Sequence, residues 1–127
     1  MMNKRKIYKL TKNDDRAIQL FVKLGMPKNL AKTLMYISLV SKCYSTDIEQ
    51  GANLRQPEVN IAVNELSKKG WVSKQILHQR EKGRPAHVYK PTVPLSQIVK
   101  TFEREKLEEI EQVKRGVSEL KTIFPLK

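Results

Sequence analysis

The chain has 127 residues, 39% of them hydrophobic, which suffices for one small core plus an extension. Lysine and arginine number 25 against 13 acidic residues, so the formal net charge is +12 and the pI near 9.9, a balance that favours a polyanionic partner. A single cysteine, Cys43, excludes an intrachain disulfide, and no apolar run is long enough for a signal peptide or a membrane span, so an intracellular, cytoplasmic chain is expected.

Residues 1–12 form a purely cationic arm, with Lys4, Arg5, Lys6, Lys9 and Lys12 and no acidic residue. Such an arm is either a solvated tail or a segment that orders on phosphate. Asp14-Asp15 then precede Ala17-Ile18-x-x-Phe21-Val22-x-Leu24, a helical spacing with acidic residues in its first turn, and Gly25 ends it. Pro27 opens a second helix through Leu30-Ala31-x-x-Leu34-Met35-x-Ile37-Ser38-Leu39. Both are expected to build the core, the second lying behind the helix that starts near Gln56 and supporting it.

From Thr46 to Gly70 the chain reads as two short helices joined by a tight turn. Ile48 and Ala52 sit one helical turn apart and can share a core. Asn53 ends this helix, since Asn tolerates the left-handed backbone with less strain than a branched residue, and Leu54 plugs the corner. A new helix starts near Gln56: Pro57 suits a first turn, where its missing N–H is no loss, and Glu58 favours the positive end of the helix dipole. Val59, Ala62, Val63 and Leu66 follow the i, i+3, i+4, i+7 rule and give one buried stripe, which Gly70 closes after Lys68 and Lys69.

Outward on that helix lie Gln56, Asn60 and Asn64, with Ile61 beside them and Arg55 at the entrance. Amide side chains pair bidentately with adenine in a DNA major groove, and an aliphatic group packs on a thymine methyl. A solvated polar face would also carry the amides. Ile61 speaks against it, because an exposed β-branched residue is more easily explained if something covers it, whether a ligand or the hairpin next in the chain.

That hairpin runs from Trp71 to Lys90. Trp71, Val72, Ile76 and Leu77 supply strand formers, Glu81-Lys82-Gly83-Arg84-Pro85 the turn, and His87-Val88-Tyr89 the return strand before Pro91. Arg80, Lys82, Arg84 and Lys90 against the single Glu81 make it a clamp for backbone phosphates, or a minor-groove probe through Arg84. A charged edge that only prevents aggregation is the plainer alternative.

Residues 29–91 resemble the winged helix-turn-helix regulators of prokaryotes, the MarR, ArsR and TrmB-like groups. The shared pattern is a short helix, a small corner, a second helix ending Leu66-Ser-Lys-Lys-Gly70-Trp-Val72, and a wing with Gly83-Arg84-Pro85 near its tip. The resemblance implies that the helix from Gln56 is a recognition helix for the major groove and that the wing touches backbone or minor groove. Metal-sensing members of the ArsR group use cysteine-rich sites, and the lone Cys43 departs from that pattern.

Beyond Pro91 and Pro94 a helical pattern runs from Leu95 to about Ile123, about 40 Å at 1.5 Å per residue. From Leu95 to Thr122 six basic and six acidic residues cancel, so the positive excess lies elsewhere. Ile110, Val113, Val117, Leu120 and Phe124 alternate three and four apart, the seam of a coiled coil. Val99 and Phe102 begin the stripe, but Lys106 takes the next seam position and Leu107 is shifted. The alternatives are a dimerisation helix and a helix folded back on its own domain; dimerisation is favoured because a doubled half-site reader gains affinity and register along DNA.

No Gly-rich phosphate loop, His-Glu-x-x-His or nucleophile elbow occurs, so no enzyme and no cofactor is expected. His78 and His87 lie in the hairpin without acidic or sulfur ligands near in sequence, so no metal site is expected. The expected fold is mainly α with a small β-hairpin (α+β): arm 1–12, winged-helix domain 13–92, and a C-terminal dimerisation helix 93–127. The expected function is a homodimeric, sequence-specific regulator of transcription bound to double-stranded DNA. Gln56, Asn60, Ile61 and Asn64 would read bases, and Arg55, Lys68, Arg80, Lys82 and Arg84 would hold phosphates. Two alternatives keep the fold: a protein-interaction module, since Glu58 and Glu65 offset the basic residues of the recognition helix, and a sequence-indifferent, chromatin-like binder. No residue demands a small-molecule effector, although a pocket beside the long helix could admit one.

Overall fold

The computed structural model describes residues 8–78 and 85–125. In chain order the elements are α1 (Lys12–Lys23), α2 (Lys28–Val40), β1 (Cys43–Tyr44), α3 (Ser45–Gly51), α4 (Gln56–Lys68), β2 (Val72–His78), β3 (Pro85–Pro91) and α5 (Leu95–Ile123). The chain divides into two compact units, meeting in sequence between Pro94 and Leu95.

In the first unit, α1 begins two residues before the Asp pair. Thr11 is its N-cap: Asp14 N–H donates to Thr11 Oγ1 at 3.4 Å, and Thr11 N–H donates to Asp14 Oδ2 at 2.7 Å. Each side chain thus satisfies a backbone donor that the helix start leaves open. Tyr8 Oη also donates to Asp14 Oδ2 at 2.5 Å, and Leu10 N–H donates to Gly51 O at 3.3 Å. The later part of the cationic segment is therefore bonded to the domain; Lys4, Arg5 and Lys6 lie outside the described residues.

The buried face of α2 (Leu30, Ala31, Leu34, Met35, Ile37) packs against α1 on one side and α4 on the other. Ile48, Leu54, Val59, Val63 and Leu66 complete the helical part of the core, as the apolar spacing required. The corner has the expected backbone: Asn53 is left-handed at φ 55°, and Leu54 is buried behind it.

The sheet has one strand more than the hairpin read from sequence. Its order is β1-β3-β2, antiparallel, with Cys43 opposite Tyr89 and Tyr44 opposite Val88. A two-residue strand carries no alternation of its own; it exists because β3 offers a free edge next to a chain already leaving α2. Trp71, Val72, Val88 and Tyr89 bury the base of the sheet.

The second unit is α5, whose bounds match the periodic segment. Ile98 and Phe102 are its buried residues, and Val99, Ile110, Val113, Val117, Leu120, Ile123 and Phe124 are exposed. Among the described residues no helix is long and apolar enough to cross a membrane.

Candidate nucleic-acid interface

Helix α4 is fixed at both ends before it presents anything. At its start Arg55 N–H donates to Glu58 Oε1 at 2.8 Å, while Asn29 Nδ2 on α2 donates to Glu58 Oε2 at 3.2 Å. The Arg55 bond foremost, helped by Asn29 and by the positive charges of Arg55 and Lys32, holds the Glu58 carboxyl below the usual carboxylate range against the opposing effect of burial. At its end Gly70 turns at φ 78°, Trp71 N–H donates to Leu66 O at 3.0 Å, and the Lys69 ammonium lies 5.1 Å from the Trp71 ring. Thr92 closes the base of the wing through its hydroxyl to Gly70 O and its N–H to Trp71 O.

With Val59, Ala62, Val63 and Leu66 buried, the opposite side of α4 is bare. Gln56, Asn60, Ile61 and Asn64 are all exposed, and Ile61 keeps 67% of its surface open. It borders a groove of about 470 Å³ formed with Pro27, Asn29 and Leu30 of the α2 start and with Glu58, Ala62, Glu65 and Lys69. Arg55 stands exposed at the N-cap, and Lys68 is exposed but reaches Glu65 at 3.6 Å.

Strands β2 and β3 pair from Val72 opposite Pro91 to His78 opposite Pro85. Lys74 and Lys90 are exposed on the described part of the wing. Arg80, Lys82 and Arg84, the expected phosphate contacts at the tip, lie outside the described residues. His87 faces Ile76 in the register rather than His78.

Sequence reasoning overlooked the α2 start as part of this surface. Lys28 sits in its first turn with no acidic residue to match the helix dipole, and Lys32 comes one turn later. A cation at the positive end of a helix is locally unfavourable, and that conflict is the signal that could have been read.

Of the expected dimer residues, Val99, Ile110, Val113, Val117 and Leu120 are exposed on α5 and Phe124 is exposed just past its end, whereas Phe102 retains only 7% of its surface, with Lys106 Nζ 5.2 Å from its ring.

No family model and no curated protein sequence matches the chain. Solved structures do. A possible transcriptional regulator from Methanosarcina mazei Go1 superposes with a TM-score of 0.62 at 14% identity, over 86% of this chain and 88% of that one. The archaeal chromatin protein TrmBL2 gives 0.59 at 18% identity over 87% of this chain, which spans only 42% of TrmBL2. A MarR mutant from E. coli complexed with operator DNA gives 0.50 at 17% identity, over 90% of this chain and 87% of that one. The chain thus has the winged-helix fold of these regulators, with a long C-terminal helix.

Proposed function

We propose that the chain is a sequence-specific, DNA-binding regulator of transcription that works as a homodimer. The observation that carries this reading is the bare face of α4, where three amide side chains flank an aliphatic one that is 67% exposed. In this reading Gln56, Asn60 and Asn64 pair with base edges in the major groove and Ile61 meets a thymine methyl. Arg55 and Lys68 neutralise phosphates beside the groove, Arg80, Lys82 and Arg84 do so from the wing, and the net charge of +12 draws the chain to DNA. The exposed stripe of α5 pairs two copies, so that two α4 helices read two half-sites.

The likeness to a chromatin protein favours a second reading, a binder indifferent to sequence. Titration of duplexes selected from a random pool against scrambled duplexes, at several salt concentrations, separates the two. Selection of a two-fold symmetric site supports the regulator, and loss of discrimination on replacing Asn60 and Asn64 by Ala, about 1 to 3 kcal/mol for each bidentate contact, assigns the face. Tight binding without preference supports the chromatin-like binder. No binding at low salt overturns both in favour of a protein-interaction module.

A further inference from the structure

The two edges of the exposed α5 stripe differ in charge. Take Ile110, Val117 and Phe124 as the a positions of a heptad and Val113 and Leu120 as the d positions. The e edge then holds Lys114 and Lys121, and the g edge holds Glu109, Gly116 and Ile123. The g edge is thus nowhere cationic between 109 and 123, and the exposed Glu109 also accepts Lys106 Nζ at 3.1 Å along its own helix.

Orientation depends on which edges meet. In a parallel pair each g edge lies against the partner's e edge; in an antiparallel pair g faces g and e faces e. The antiparallel register that best covers the stripe sets Ile110 against the partner's Leu120 and Val113 against the partner's Val117. It also sets Lys114 against the partner's Lys114. Sliding the pair by one heptad either brings Lys106 and Glu103 into the seam or sets Lys114 against the partner's Lys121. Between 110 and 124 the parallel, in-register pair sets no two lysines together, since Glu109 meets the partner's Lys114 on both flanks, and the pairing ends before Lys106, which would otherwise face its own copy. Within a parallel pair, Ile110 and Val117 at a with Leu120 at d suit two strands, while Val113 at d and Phe124 at a add apolar surface without that preference.

Resting on the homodimer reading above, we infer that two copies join α5 in parallel and in register over residues 110–124, guided by Glu109 and the partner's Lys114. The two-fold axis then runs along the helix pair, and the Leu95 ends of the two helices point the same way.

Two single variants, Ile110→Cys and Leu120→Cys, test this when mixed under a mild oxidant, with the buried Cys43 left in place and linked peptides mapped by mass spectrometry. Parallel pairing yields 110–110 and 120–120 links and no 110–120 link; a dominant 110–120 link overturns it. Lys114→Glu should weaken the dimer on the order of fivefold, and adding Glu109→Lys should restore it. A dimer indifferent to both changes also overturns the pairing. Sedimentation of the unmodified chain is run alongside: a monomer at every concentration defeats the dimer reading itself, whereas a dimer with antiparallel links defeats the orientation alone.

Discussion

Asn29 Nδ2 donates to Glu58 Oε2 at 3.2 Å, joining the start of α2 to the start of α4 across 29 positions of sequence. Because the other Glu58 oxygen accepts Arg55 N–H, one carboxylate both caps α4 and ties it to the helix behind. The start of α4 is held against the start of α2 at this point.

Glu58→Gln should therefore lower the melting temperature at pH 7. The folded-state carboxyl ionises below its unfolded value, so its contribution is complete above the unfolded value and fades as pH falls through the folded one. Thermal melts by circular dichroism from pH 7 to pH 3 should show the two proteins converging at the acid end. A gap that stays constant with pH would show that the charge of Glu58 does not matter.

Local chemistry made most of the fold legible. Asn53 announced its left-handed turn, Pro57 and Glu58 the start of α4, and the spacing from Leu95 to Ile123 the whole of α5. What stayed hidden depends on partners distant in sequence. Strand β1 is two residues long and is defined by Tyr89 and Val88, more than forty positions later. The Asn29 bond is equally non-local, and without it the α2 start gave no reason to join the site. Phe102 satisfies the seam spacing as well as Val99 does, yet only Val99 is exposed, because periodicity names a face and not what covers it.

The same substitution should act with opposite sign at two glycines. A Cβ on Gly51 would run into the Tyr36 ring and the Tyr8 carbonyl, both part of the domain, so Gly51→Ala should cost about 1 to 3 kcal/mol. Gly116 sits inside α5 with nothing within 4 Å of an added Cβ, and Gly116→Ala should stabilise that helix by roughly 0.5 to 1 kcal/mol. Urea unfolding of the two variants checks both, and equal effects would contradict the geometry.

Ser41 ends α2 at φ 71° and ψ −33°, with Lys42 N–H donating to Val40 O at 2.8 Å. That is a three-residue turn of the strained kind, in which a side chain has no preferred place. Ser41→Gly should raise stability by about 1 kcal/mol, while Asn53→Ala, at φ 55°, should lower it by about 1 kcal/mol because Ala tolerates the left-handed region less well than Asn. Midpoints of denaturant unfolding read both. A loss of stability in Ser41→Gly would mean that the hydroxyl, not the backbone, matters there.

Ile61 separates folding from function. Being 67% exposed, it contributes little to the core, and Ile61→Ala should change stability by no more than about 0.5 kcal/mol. If its methyl groups meet a thymine, the same change should weaken binding to a selected duplex by about 1 kcal/mol, roughly fivefold, and leave random duplexes unaffected. A solvated surface would give no change in either quantity, and a side chain needed to hold the α2 start against α4 would give a loss of stability with both duplexes affected alike. Parallel measurement of unfolding midpoints and of fluorescence anisotropy with both duplexes distinguishes the three outcomes. Loss confined to the selected duplex is the result expected if Ile61 meets a base, because its own groove with Pro27, Leu30 and Ala62 leaves 67% of its surface open.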